Sequence, residues 1–348
     1  MNTLAIDLGL LREGMQAKAT SRDLGIDTMR GIAILMVIGI HSLTQPMASW
    51  QVAVDALLRP CVPIFLFASG YLTAASGHVP LTRRVTAAAA PYTIAFAAAY
   101  LYMALHNPAM DHRLATTLAR YVLAYAFVYY YVFVYVGCTI VLWLVYGAVS
   151  TDTRLRARRL TILLPLLILF GLIAGAYVDP LLSRLGFSDN LIEEVRMRDI
   201  PFWFAFMALG ALVGTAGLKR ELRAGQPVLF GATLAAFAIY AAIRIAGIGD
   251  AADYDSIAFF GYASLLCCLL LAADRSSSTL GSFGSGSYFI YLWHIFIVMV
   301  LRDHAPLRAF GPLAASILTF LVAAFGSITA LIIVRQILPP SIARRIGA

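Results

Sequence analysis

The run IDTMRGIAILMVIGIHS, residues 26–42, decides the fold. It is the first apolar stretch long enough to cross a bilayer, yet it carries an arginine at its start and a histidine in its interior. Ten residues separate Arg30 from His41. At about 1.5 Å of rise per residue, a helix puts the imidazole roughly 16 Å deeper than the guanidinium. In a hydrocarbon core about 30 Å thick, an arginine at the surface then implies a histidine near the midplane. Ionisable groups at that depth are costly and usually line a cavity or a reaction path. Taken alone, the pair reads equally well as an anchoring arginine plus a histidine bonded to a neighbouring helix.

The rest of the chain agrees with a membrane environment. Of 348 residues, 61% are hydrophobic and only 13% charged, about half the charge content of a soluble domain. The mean hydropathy is +0.83. The net charge of +8 does not signal nucleic acid, because most basic residues fall in short loops between apolar runs, where they set orientation. Cys61, Cys138, Cys267 and Cys268 all lie inside apolar runs, with no metal or redox spacing. The first 25 residues are mixed and polar, without the apolar core of a cleavable signal.

Apolar runs predict an all-α bundle of about ten spans, roughly 27–46, 52–75, 86–106, 120–148, 160–178, 200–217, 226–247, 256–273, 286–303 and 312–336. Placing both termini in the cytoplasm puts Arg83, Arg84, the Arg154–Arg159 cluster, Lys219, Arg220, Arg223, Arg275 and the C-terminal arginines inside. The outside loops are then neutral, acidic or mixed. This divides the chain into a loosely ordered cytoplasmic tail, 1–26, one transmembrane domain, 27–337, and a second cytoplasmic tail, 338–348. The fourth run is too long for one straight span, so Arg120 to Tyr131 is expected to tilt or follow the interface. Its tyrosines, among them Tyr125, Tyr130, Tyr131 and Tyr135, suit an interfacial or cavity-facing surface. The connection Asp179–Asp199 reads first as a solvated loop with local ion pairs, and second as a lid or acceptor-binding surface.

Several residues stand out chemically. Asp55 and Arg59 are four apart on one helix face, so they can pair and reduce each other's cost in the membrane. Structural pairing is the first reading and acceptor contact the second. Pro60 and Pro63 should kink their helix, and Ser69-Gly70 offers a small face for close helix approach. Arg83 and Arg84 are ordinary positive-inside residues that would also suit the phosphates of coenzyme A. In GSFGSGSYFIYLWHIFIV, residues 281–298, the glycine run lacks a Walker lysine and follows no strand, so it reads as a flexible helix start with Ser287 as cap. His294 then falls near mid-membrane as well. It is either a packing histidine or the second wall of a polar cavity. His78, His106, His112 and His304 show no metal-ligand spacing, and no GxSxG elbow on a strand–helix turn is present.

These residues resemble the membrane-bound acyltransferase family 3, whose members O-acylate carbohydrates. Asp27, Arg30, Gly31 and His41 match the first-span pattern of an acidic residue, Arg-Gly, and a histidine separated from the arginine by ten residues. The run from Val62 to Leu72, VPIFLFASGYL, is similar to the second signature, and Ser287–Phe296, SYFIYLWHIF, to the late one. Of the family's Arg-x-x-Arg before the third span, Arg84 matches the first position and Ala87 occupies the second. Tyr130-Tyr131 or nearby residues replace its Trp-Phe.

The resemblance implies acyl transfer, usually from acetyl-CoA as donor substrate with no bound cofactor, to a sugar hydroxyl at or beyond a bacterial inner membrane. It makes His41 the general base, or alternatively the carrier of a covalent acyl group. Arg30 would hold the donor's phosphates or orient the base, with Arg83 and Arg84 assisting. His294, Tyr291 and Ser69 would shape the cavity or stabilise the oxyanion, and Asp55 and Arg59 would sit on the acceptor side. Membrane lipid, the carbohydrate acceptor and other polysaccharide-assembly proteins are the expected partners, with no nucleic acid and no metal. Two other classes compete: a transporter or flippase using His41 and His294 as pathway residues, and a non-catalytic scaffold for polysaccharide assembly.

Overall fold

The computed structural model describes residues 23–149, 152–248 and 255–348. Most of the expected N-terminal tail, residues 1–22, lies outside them, as do Asp250 and its neighbours. In chain order the helices are α1 (Leu24–Ser42), α2 (Ser49–Leu58), α3 (Cys61–Ser76), α4 (Leu81–His106), α5 (Leu114–Val122), α6 (Tyr130–Ala148), α7 (Thr153–Arg184), α8 (Asp189–Arg196), α9 (Ile200–Thr215), α10 (Lys219–Ala224), α11 (Gln226–Ala246), α12 (Ile257–Ala273), α13 (Ser278–Ser285), α14 (Ser287–His304), α15 (Gly311–Ile337) and α16 (Pro340–Arg345). Among the described residues there is no strand.

Each of the ten expected segments overlaps helix, though not always over its whole length. Among the described residues, eight stretches are long and apolar enough to cross a membrane, and α13 with α14, bent by 77°, forms up to a ninth. Helix α12 is apolar but spans only 17 residues. The protein is therefore a multi-pass membrane protein. Helices α7, α11 and α15 expose rows of large apolar side chains, among them Leu166, Phe170, Leu234, Ile239, Leu321 and Phe325. Intrahelical bonding satisfies their backbones, so these faces suit lipid.

Helix α9 is the buried axis of the bundle. Every residue from Phe202 to Ala208 is buried, and α9 packs along α3 and α7. Phe202, Trp203, Phe206 and Phe259 form its aromatic core. The small face expected at Ser69-Gly70 is used here. A Cβ on Gly70 would fall 1.9 Å from the Met207 carbonyl oxygen, and one on Gly210 would fall 2.0 Å from that of Phe67. The two backbones touch, as small residues permit.

Three local readings change. The long fourth run is broken: α5 ends at Val122, and turns with left-handed Ala124 and Phe127 lead into α6. The break at Pro60, by contrast, falls where proline removes a helix donor. The Asp179–Asp199 connection is mostly structured, with α7 running to Arg184 and α8 following. Arg196 pairs there with Asp179 and lies 3.8 Å from Asp255, as the ion-pair reading expected. The C-terminal segment docks on the bundle, where the Phe289 amide donates to the Gly347 carbonyl at 3.1 Å.

Candidate active site

Helix α1 carries both Arg30 and His41, and its start is fixed by Asp23, whose side chain accepts from the Ile26 amide at 3.1 Å. One turn later α1 meets α13 backbone to backbone. A Cβ on Gly31 would lie 2.1 Å from the Leu280 oxygen, and one on Gly284 would lie 1.8 Å from the Asp27 oxygen. This contact delivers the start of α14 to Arg30. Arg30 Nη2 donates to Ser287 Oγ at 3.3 Å, and Nη1 lies 3.5 Å from Asp27 Oδ1. Ser287 is thus not the N-cap expected of it. Gly286 holds the cap position, and the hydroxyl oxygen serves Arg30 instead. The glycine run is also helical rather than a loose start, because α13 must lie against α1 before the chain bends.

Among the described residues, two large chambers open along α1, and a smaller cavity of about 90 Å³ reaches His41 from the side of Arg302 and Arg308. The first, about 390 Å³, is lined by Arg30, Ser69, Arg83, Arg84, Tyr135 and Tyr288, among others. Arg84 Nη1 is buried there without a hydrogen-bond partner among the described residues. An unpartnered buried guanidinium nitrogen is expensive, and an anion in the chamber would satisfy it. Ala87, where the family carries its second arginine, lines the same chamber. So three expected donor-side residues and Ser69 do converge.

The second chamber, about 430 Å³, is lined by His41, Arg59, Arg120, Tyr130, Arg198 and Tyr291, among others. Its walls include Tyr125–Val128 from the break before α6 and Glu194, Met197 and Arg198 from the Asp179–Asp199 connection. Arg198 ties these walls together. It donates to the Leu123 carbonyl at 2.7 Å, pairs with Glu194 at 2.5 Å and lies 5.5 Å over the Tyr125 ring. The connection therefore forms part of a cavity wall as well as carrying ion pairs. Asp55 does not line the chamber. It is buried beside it, with Arg59 Nε at 2.6 Å and Arg244 Nη1 at 2.7 Å from the same oxygen. Arg244, almost two hundred residues away in sequence, gave no signal before the fold was known.

His294 meets His41 at the wall of this chamber, with ring centroids 5.4 Å apart. The His294 side chain is fully buried. Its Nδ1 lies 3.1 Å from the Ile290 carbonyl oxygen and 2.8 Å from that of Tyr291. Carbonyl oxygens only accept, so Nδ1 carries the hydrogen. In the neutral ring Nε2 is then a lone pair, and it is buried without a partner among the described residues. His294 in this state can accept a hydrogen bond but cannot donate one at Nε2. The Tyr291 hydroxyl is likewise committed, donating to the Val128 carbonyl at 2.6 Å.

Tyr131 lies between the chambers and lines both. The tyrosine run around it reads from the sequence as interfacial or cavity-facing, and the connection that carries Glu194 and Arg198 has a lid or acceptor surface as its second reading, whereas Tyr288 and Arg120 carry no such signal. Among the described residues, no group of three or more His, Cys, Asp or Glu side chains could hold a metal.

No curated protein and no solved structure matches the chain. The family model for the acyltransferase domain of acyltransferase 3 proteins matches residues 23–335, nearly the whole length, and covers both chambers. The chain belongs to the acyltransferase 3 family, and it is a membrane acyltransferase.

Proposed function

We propose that this acyltransferase moves an acyl group, acetyl in the first instance, from acyl-CoA in the cytoplasm to a hydroxyl of a cell-envelope or exported carbohydrate. The observation that carries the reading is the placement of Arg30 and His41. They stand about 16 Å apart along one helix, in two chambers that meet at Tyr131. A donor with phosphates at one end and a reactive carbonyl at the end of a long arm fits that separation. In this reading the arginine chamber faces the cytoplasm, a bundle of about ten spans has both termini inside, and the membrane is a bacterial inner membrane; the positive-inside pattern of the loops supports the orientation.

Arg30, Arg83 and Arg84 take the donor's phosphates, and Arg84 Nη1 gains the partner it lacks. The thioester reaches the histidine chamber past Tyr131, and the sugar enters that chamber from the opposite side. A hydroxyl is a weak nucleophile until a base takes its proton as attack begins. His41 takes that proton. The oxygen attacks the carbonyl carbon, the carbon–sulfur bond breaks, and the leaving thiolate takes up the proton from His41. His294 offers a lone pair at Nε2 that no described group occupies, 5.4 Å from the His41 ring between centroids, so its role would be to take a hydrogen bond from His41 when that ring turns toward it as the acceptor binds. Of the two expected roles for His294, oxyanion donor and cavity wall, this reading takes neither donor chemistry at Nε2 nor a purely packing role.

Membranes containing the protein, supplied with acetyl-labelled acetyl-CoA and a glycan extract of the host, test the reading. Label should appear in the carbohydrate as an alkali-labile ester. Absence of ester from acetyl-CoA, and from succinyl-CoA in parallel, would contradict it.

A further inference from the structure

We infer that Tyr131 is the partition between the donor and acceptor chambers, and that it determines whether the acyl group leaves with the sugar or with water. The inference rests on the donor reading above. Three observations carry it.

First, Tyr131 is the only described residue that lines both chambers. Its ring contacts come from each side. Phe65 and Tyr135, on the arginine-chamber wall, lie with centroids at 5.8 and 5.9 Å. Tyr291, on the histidine-chamber wall, lies at 5.4 Å and nearly edge-on.

Second, the tyrosines around it are anchored and it is not. The hydroxyls of Tyr288, Tyr291 and Tyr129 each donate to a main-chain carbonyl, those of Ala88, Val128 and Leu292, at 2.6–2.8 Å. Among the described residues no hydrogen bond holds the Tyr131 hydroxyl. The frame is fixed by hydrogen bonds and the panel is not, so its ring can change rotamer without breaking one.

Third, Tyr131 is the second residue of α6, directly after the break that builds the histidine-chamber wall. Movement in that wall on acceptor binding is transmitted to the ring within a few residues. A thioester on the arginine side is then kept from His41 and from the water of the acceptor chamber until the ring moves. Loss of the ring would let water in the acceptor chamber take the acyl group. Its oxygen would attack the thioester carbonyl, the carbon–sulfur bond would break, and the sulfur would take the proton, leaving a free acid and CoA. Excluding such side reactions is a general function of closed sites.

Tyr131→Ala and Tyr131→Phe test this in the full-length protein in membranes. CoA thiol release is measured against acyl groups recovered in carbohydrate. The ratio should rise about tenfold or more in Tyr131→Ala and stay at the wild-type value in Tyr131→Phe. Tyr131→Val serves if the alanine variant does not fold. Cys61, which lines the histidine chamber, gives a readout independent of turnover. With the other three cysteines replaced by serine, a small charged methanethiosulfonate should label Cys61 from one membrane face only. In Tyr131→Ala it should label from both. Labelling from both faces with Tyr131 present, or from one face only in the variant, overturns the partition. Failure of the wild type to transfer from any acyl-CoA would instead remove the donor reading, and the labelling result would still stand on its own.

Discussion

The imidazoles of His41 and His294 lie 5.4 Å apart, and the only uncommitted nitrogen of His294 is a buried lone pair. The two residues are more than 250 positions apart in sequence, on α1 and α14. Such a lone pair can accept from an N–H and cannot donate to an oxyanion. Replacement of His294 by leucine should lower kcat by about 10²-fold, within the range of general-base contributions, and leave the donor KM unchanged. It should also displace the acid limb of the pH–rate profile, because the removed group acts through the base. A rate lowered equally at all pH values would mark His294 as an oxyanion donor instead.

Gly31 and Gly284 hold α1 against α13, and a methyl at either would meet a main-chain carbonyl at 2.1 or 1.8 Å. Neither backbone can move without displacing Arg30 from Ser287. Gly31→Ala should cost at least the roughly 1–3 kcal/mol of ordinary overpacking, seen as a lower unfolding temperature in detergent. Activity should fall further than stability predicts. An alanine variant with wild-type melting would disprove the contact.

Asp55 serves two buried guanidiniums, those of Arg59 and Arg244. Asp55→Ala leaves both charges without it and should destabilise by about 3–5 kcal/mol. Arg244→Met leaves Asp55 with Arg59 and should cost less. Chemical denaturation of the two variants side by side checks the order, and equal losses would contradict it.

Arg84 Nη1 lies buried in the arginine chamber without a hydrogen-bond partner among the described residues. Charge-assisted bonds are worth about 1.5–3 kcal/mol, so Arg84→Ala should raise the donor KM roughly 10- to 100-fold with little effect on acceptor KM. Ala87 lines the same chamber, and Ala87→Arg should lower the donor KM. Initial rates at varied acetyl-CoA measure both. A change confined to the acceptor KM would move the donor elsewhere.

The sequence was most informative where structure is local. Apolar runs located the helices, since a bilayer demands continuous apolar length, and the Arg30–His41 spacing fixed their separation along one axis. The Asp55–Arg59 pair was legible for the same reason, lying one turn apart. Contacts between distant segments were not. Nothing near Gly286 in sequence announces that Gly284 must touch Asp27, so the bend and the role of Ser287 were misread. The break at Leu123–Tyr129 is stabilised by Arg198, some seventy residues later. The Asp179–Asp199 connection looked solvated because its charges dominate its composition. Its partners, Leu123 and Tyr125, were invisible until the chain was folded.

The most direct test of the account is acyl transfer by His41→Ala beside the wild type, at matched expression in membranes given labelled acetyl-CoA and host glycan. Among the described residues of the Arg30 helix, His41 is the candidate base that lines the histidine chamber. The account predicts that ester formation falls by about 10²–10⁴-fold in the variant while donor binding persists. Equal transfer by both proteins would contradict it and remove His41 from the mechanism.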